Sequence, residues 1–198
     1  NFGGAYSETN QVTLQKDSDT VTKEASAWVD RPEYMEKKNT GYAENPDNAN
    51  ERIVSWSNSI TIPENGLSEN LVVADTLNNN QYHTMTVDQV KALYQNLQQQ
   101  PWFNAVVGRK LILTDKNYQT HEITSPDQLN NLSVDGFIKF SYELDHTQLE
   151  NFKGQNLTYT YQTTANIANV AQNTTGYFGN ELKVNEKSVS AQYEYRNI

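Results

Sequence analysis

Apolar and polar residues alternate with a period of two along most of this chain, the pattern of half-buried β-strands. The alternation predicts strands at 11–15, 19–29, 53–62, 70–77, 109–114, 119–123, 136–144, 156–164, 177–184 and 188–195. Helical spacing stands out once. Val90, Leu93, Tyr94 and Leu97 follow Thr86-Val87-Asp88-Gln89, which has the form of a capping box, and the helix should stop before Pro101. Shorter helical turns are expected at 125–132, where Pro126 suits a first helical position, and at 146–152. Segment 30–51 is polar and carries Pro32, Gly41 and Pro46, so it reads as a long loop. Many strands with one or two short helices in insertions predict an all-β, two-sheet sandwich. Residues 1–18 are expected to form a lead-in strand or linker, and 19–198 a single sandwich domain.

The phase of the alternation singles out three polar residues. Residues two apart in a strand share a face. Lys23 is in phase with Val21, Ala25, Ala27 and Val29; Asp75 with Leu71, Val73 and Leu77; Asn180 with Phe178, Leu182 and Val184. Asn58 likewise shares a face with Val54, Trp56, Ile60 and Ile62. An ammonium, a carboxylate and an amide buried separately would each be costly, so a common meeting point is the economical arrangement. Burial disfavours the charged forms of both Lys23 and Asp75, and a neutral amine is a nucleophile. In that arrangement Lys23 attacks the Asn180 side-chain amide, Asp75 carries protons, ammonia leaves, and an amide crosslink joins an early strand to a late one. Two alternatives stay open. Lys16 shares a face with Val12 and Leu14, and Glu143 is a second acid, although Ile138, Phe140, Tyr142 and Leu144 put it on the opposite face. Asn185 is out of phase with Phe178 and Leu182, and Asn169 lies in an ambiguous Ala-rich stretch.

The stretch Arg52-Ile53-Val54-Ser55-Trp56-Ser57-Asn58-Ser59-Ile60-Thr61-Ile62-Pro63, followed by Leu71-Val72-Val73-Ala74-Asp75-Thr76-Leu77, resembles the collagen-adhesin-type (CnaA-like) domains of Gram-positive surface adhesins and pilins. Val21-Thr22-Lys23 is similar to their lysine strand, and Tyr177–Val184 to their asparagine strand. The resemblance implies an immunoglobulin-like sandwich with a Lys23–Asn180 isopeptide bond and Asp75 as the catalytic acid. It also implies a cell-wall-anchored extracellular protein with a structural or adhesive role. Its partners would be neighbouring domains of the same surface protein and a host extracellular-matrix protein or glycan. Turnover is not expected, only a single self-crosslinking event.

Composition fits this picture. Apolar residues are 36% of the chain, aromatics 11%, and twelve residues are Tyr, enough for one thin core. The net charge of −9 argues against nucleic-acid and anionic-membrane partners. Glu36-Lys37-Lys38, the nearest approach to a basic cluster, reads as part of a solvated loop. Cysteine is absent, which leaves open what staples such a domain outside the cell. No stretch has the length of a membrane-spanning helix, and the chain opens on Asn without a signal peptide, as expected of a mature fragment. No cofactor is expected. His83, His121 and His146 lack metal-ligand spacing and read as surface or loop residues. Asp17, Asp19, Asp115 and Glu122 read as loop acids and not as calcium ligands, and Trp102-Phe103 as core.

Overall fold

In the computed structural model, which describes residues 34–79 and 81–198, buried and partly exposed positions alternate from Val54 through Ile62. Eleven elements beyond short 3-10 turns organise this region: β1 (Met35–Asn45), β2 (Asn48–Thr61), β3 (Leu71–Leu77), β4 (His83–Thr84), α1 (Val87–Gln98), β5 (Leu111–Asp115), β6 (Thr120–Ile123), β7 (Phe137–Leu144), β8 (Asn156–Asn166), β9 (Thr174–Val184) and β10 (Lys187–Asn197). Residues 36–198 form one compact unit. Lys16, Lys23, Asp17, Asp19 and the expected strands at 11–15 and 19–29 lie outside the described residues.

Two antiparallel sheets face each other, as the alternation predicts. One holds six strands in the order β10-β9-β3-β7-β5-β6, the other four in the order β1-β2-β8-β4. Strand register decides which side chains meet between them. In the four-stranded sheet Trp56 lies opposite Tyr161 and Asn58 opposite Tyr159. In the six-stranded sheet Asp75 lies opposite Phe140 on one side and Leu182 on the other, with Asn180 opposite Leu77. Asp75 and Asn180 are therefore diagonal neighbours on one inward face.

Helix α1 begins as its sequence requires. The Thr86 hydroxyl accepts from the Gln89 amide at 3.1 Å, and the Gln89 side chain accepts from the Thr86 amide at 2.9 Å. Val90, Leu93, Tyr94 and Leu97 form its buried stripe. The expected turns are 3-10 helices at Pro126–Asn131 and Gln148–Phe152. Trp102 and Phe103 are buried.

The long loop expected at 30–51 is not one. Most of it is β1 and the start of β2, joined by a tight turn at Pro46-Asp47 in which the Asn45 side chain accepts from the Asp47 amide at 2.9 Å. The turn residues are legible in the sequence, but the strands around them are not. Beyond Lys37 its only apolar side chains are Tyr42 and Ala43, on opposite faces, so the strand has no apolar period. The reading of Lys37 as solvated fails with it: Lys37 points inward and is buried.

Candidate functional site

Between the sheets lies a closed polar cluster. β1 supplies Lys37, β2 Asn58, β3 Asp75, β8 Tyr159 and Tyr161, and β9 Asn180. The Lys37 ammonium donates to Asp75 Oδ2 at 2.8 Å, to Asn58 Oδ1 at 2.9 Å and to the Tyr161 hydroxyl at 2.9 Å. Those three acceptors use all three of its donors. Asn58 donates its amide to both Asp75 oxygens, at 3.2 and 3.0 Å, and to the Tyr159 hydroxyl at 3.0 Å. The Tyr161 hydroxyl donates to Asp75 Oδ2 through a short contact and accepts from Asn180 Nδ2 at 2.7 Å. Asn180 Oδ1 is buried without a hydrogen-bond partner.

Taking an ion pair out of water costs several kcal/mol per ion, and only dense hydrogen bonding offsets this. Aromatic rings supplement it here: Lys37 Nζ lies 5.0 Å from the Tyr161 ring centroid and 5.7 Å from that of Trp56. Burial pushes the Lys37 amine below its ordinary range, with Asp75 opposing the shift. Burial, then the Asp75 charge, holds the Tyr161 phenol well above its usual range.

Asp75 and Asn180 are both fully buried, on the faces that strand phase assigns them. Asn58 is buried too and belongs to the same cluster. Strand phase does not single out Lys37 or Tyr161. Lys37 sits in a strand without an apolar period, and a tyrosine in phase with Leu157 and Ala165 is indistinguishable from an ordinary core aromatic. Glu143 faces away, exposed, and accepts from Asn70 at 2.8 Å. Asn185 serves the turn between β9 and β10, accepting from the Val72 amide at 2.7 Å.

The expectation that His83 is a surface or loop residue is overturned, since it is fully buried. Its strand is two residues long, too short to show periodicity, yet it pairs with β8 and carries the ring inward. His83 Nε2 lies 2.8 Å from Thr163 Oγ1, which also accepts from the Trp56 indole at 2.9 Å. Asp115 and Glu122 do not converge: Asp115 pairs with His121 at 2.7 Å, and Glu122 lies 3.5 Å from Lys110. Among the described residues there is no group of three His, Cys, Asp or Glu that could hold a metal ion. No helix among them is long and apolar enough to cross a membrane.

Solved structures similar to this chain include collagen-binding domains of bacterial surface proteins. The collagen-binding subdomain of the Enterococcus faecalis surface protein ACE matches at 10% identity and a TM-score of 0.36, over 83% of this chain and 97% of its own. The collagen-binding domain of the Erysipelothrix rhusiopathiae surface protein RspB matches at 12% identity and a TM-score of 0.33, over 89% of this chain and 52% of its own. A collagen-binding domain from a Staphylococcus aureus adhesin matches at 10% identity and a TM-score of 0.33, over 83% and 96%. No protein-family profile matches the chain. No curated protein matches it either. At these identities and TM-scores the likenesses carry no functional argument, which rests instead on the buried cluster.

Proposed function

We propose that this chain is a structural or adhesive module of a Gram-positive cell-surface protein, stapled by an autocatalytic isopeptide bond between Lys37 and Asn180 with Asp75 as proton carrier. The observation that carries the reading is the Lys37 amine, buried, depressed in basicity and bonded to a carboxylate within a cluster that includes an amide with an unpartnered oxygen. Lys37 gives one proton to Asp75 and becomes a neutral nucleophile. Its nitrogen attacks the Asn180 side-chain carbon. The first proton reaches the former amide nitrogen while a second passes from the lysine nitrogen to Asp75; the C–N bond breaks, ammonia departs, and the proton left on Asp75 follows it as ammonium. Lys23, expected from the sequence to be the nucleophile, is replaced in this proposal by Lys37.

A second reading takes Asn58 as the electrophile, because its oxygen already accepts from Lys37. Two considerations favour Asn180. A hydrogen bond reaches a carbonyl oxygen near the amide plane, whereas attack on the carbon comes from above it. Closing a loop of about 140 residues between Lys37 and Asn180 also stabilises the fold by on the order of 5 kcal/mol in the chain-entropy account, against about 3 for the short loop to Asn58. Fragment-ion spectra of a protease digest decide the matter. The proposal requires a branched peptide joining Lys37 to Asn180; a branch at Asn58 selects the second reading, and one at Lys23 returns the nucleophile to the lysine expected from the sequence.

Such a bond suits a stalk or shaft module under tension outside the cell, where a chain without cysteine has no disulfide to use. A ligand-binding role is compatible with it, and an extracellular-matrix protein is the first ligand class to screen, followed by glycans. The chemistry is a single turnover, so no enzymatic activity is proposed.

A further inference from the structure

Within the buried cluster one group touches every reacting part. The Tyr161 hydroxyl accepts from the Lys37 amine at 2.9 Å and from the Asn180 amide nitrogen at 2.7 Å, and it donates to Asp75. Asp75 itself is bonded to the amine directly, but its hydrogen bonds do not include the Asn180 amide. The crosslinking reaction must nevertheless deliver a proton to that nitrogen before it can leave as ammonia. We infer that Tyr161 is the catalytic proton relay of the crosslinking reaction, passing to the departing Asn180 nitrogen the proton that Asp75 takes from Lys37. The inference rests on the crosslinking reading and adds a residue to it.

The transfer balances. Asp75, protonated by the lysine nitrogen, hands its proton to the Tyr161 oxygen as that oxygen releases its own proton to the Asn180 nitrogen. The lysine nitrogen gives its second proton to Asp75, the C–N bond breaks and ammonia leaves; the phenol is restored at once, and the carboxylate when that last proton departs with the ammonia as ammonium. Burial and the neighbouring carboxylate hold the phenol well above its usual range, so a free phenolate is not an available intermediate. The two proton movements are accordingly concerted. Packing fixes the hydroxyl for this: the Tyr161 ring meets Phe140 edge-on with centroids 5.1 Å apart, and it stacks on Tyr159 at 6.4 Å. Tyr142 supplies an internal control. It is equally buried and shares the tyrosine cluster, but its hydroxyl donates to Tyr159 at 2.7 Å and reaches Asp75 only through Tyr159 and Asn58.

The test follows ammonia loss by intact mass in full-length chains made by cell-free translation and quenched in acid at intervals. Wild type should lose one ammonia; Tyr161→Phe should fold, by circular dichroism, yet crosslink slower by on the order of 100-fold, the usual scale for a lost general acid–base group. Tyr142→Phe should match wild type. Equal rates for wild type and Tyr161→Phe overturn the relay and leave the crosslink standing. A wild-type chain that never loses ammonia overturns the crosslinking reading, and the relay with it. Should Tyr161→Phe fail to fold, a fluorinated tyrosine placed at position 161 keeps the ring and hydroxyl while changing their acidity. It should shift the pH dependence of the rate, and an unchanged profile overturns the relay.

Discussion

Two aspartates among the described residues are almost wholly enclosed, and they are held in opposite ways. Asp115, 3% exposed, closes the β5–β6 hairpin. It accepts from the backbone amides of Asn117 and Gln119 at 2.7 and 3.1 Å and pairs with His121 at 2.7 Å, all within six residues of itself. The His121 hydrogen bond, followed by those amides, holds its carboxyl below the usual range. Asp75 is 0% exposed, and its partners Asn58, Lys37 and Tyr161 are 17, 38 and 86 residues away in sequence. A turn aspartate with local partners is a folding device that any hairpin can supply. A carboxylate that can be satisfied only when four strands from two sheets have assembled faces chemistry that becomes possible only in the finished fold.

The largest effect should come from Asp75→Ala. It leaves the Lys37 ammonium buried and unpaired, at a cost of about 3–5 kcal/mol, and removes the proposed proton carrier. Denaturant unfolding and intact mass should both change, the variant keeping its full sequence mass. A stability near wild type would mean that the buried pair is not a feature of the solution fold.

His83 extends the comparison to pH. Burial lowers its pKa from 6.5 to about 4. Above pH 6.5 the ring is neutral whether the chain is folded or not. As pH falls through 6.5 the unfolded chain takes up a proton that the folded chain does not, so stability should decline down to about pH 4, by up to about 3 kcal/mol. His83→Gln, which keeps a partner for Thr163, should flatten that decline in thermal melts; an equally steep decline would assign it to other groups.

Asp115→Ala should cost less, about 1–2 kcal/mol for the lost local hydrogen bonds, without altering the crosslinking-dependent mass. A change in mass would erase the distinction between the two aspartates. Thr86→Ala removes another purely local device, the cap of α1, and should cost about 1 kcal/mol in the same unfolding assay.

The same contrast explains what the sequence can show. Strand phase turns Asp75, Asn58 and Asn180 inward, because each sits among apolar residues two positions apart. The cap at Thr86 and the turn at Pro46-Asp47 are legible because their partners are sequence neighbours. Lys37 is not, since the edge strand that bears it has almost no apolar residue to mark its inner face. His83 is hidden by the shortness of its strand, and Tyr161 because its significance lies in partners 19, 86 and 124 residues distant. Alternation reports which way a side chain points. Which strands end up neighbours depends on the topology, and the chemistry of the core depends on those neighbours.

The most direct measurement is the intact mass of the purified protein after complete unfolding. The expected mass is one ammonia below that of the sequence, with the full value restored in Lys37→Ala. A wild-type mass equal to that of the sequence would contradict it and leave the buried cluster as a hydrogen-bonded ion pair without a reaction.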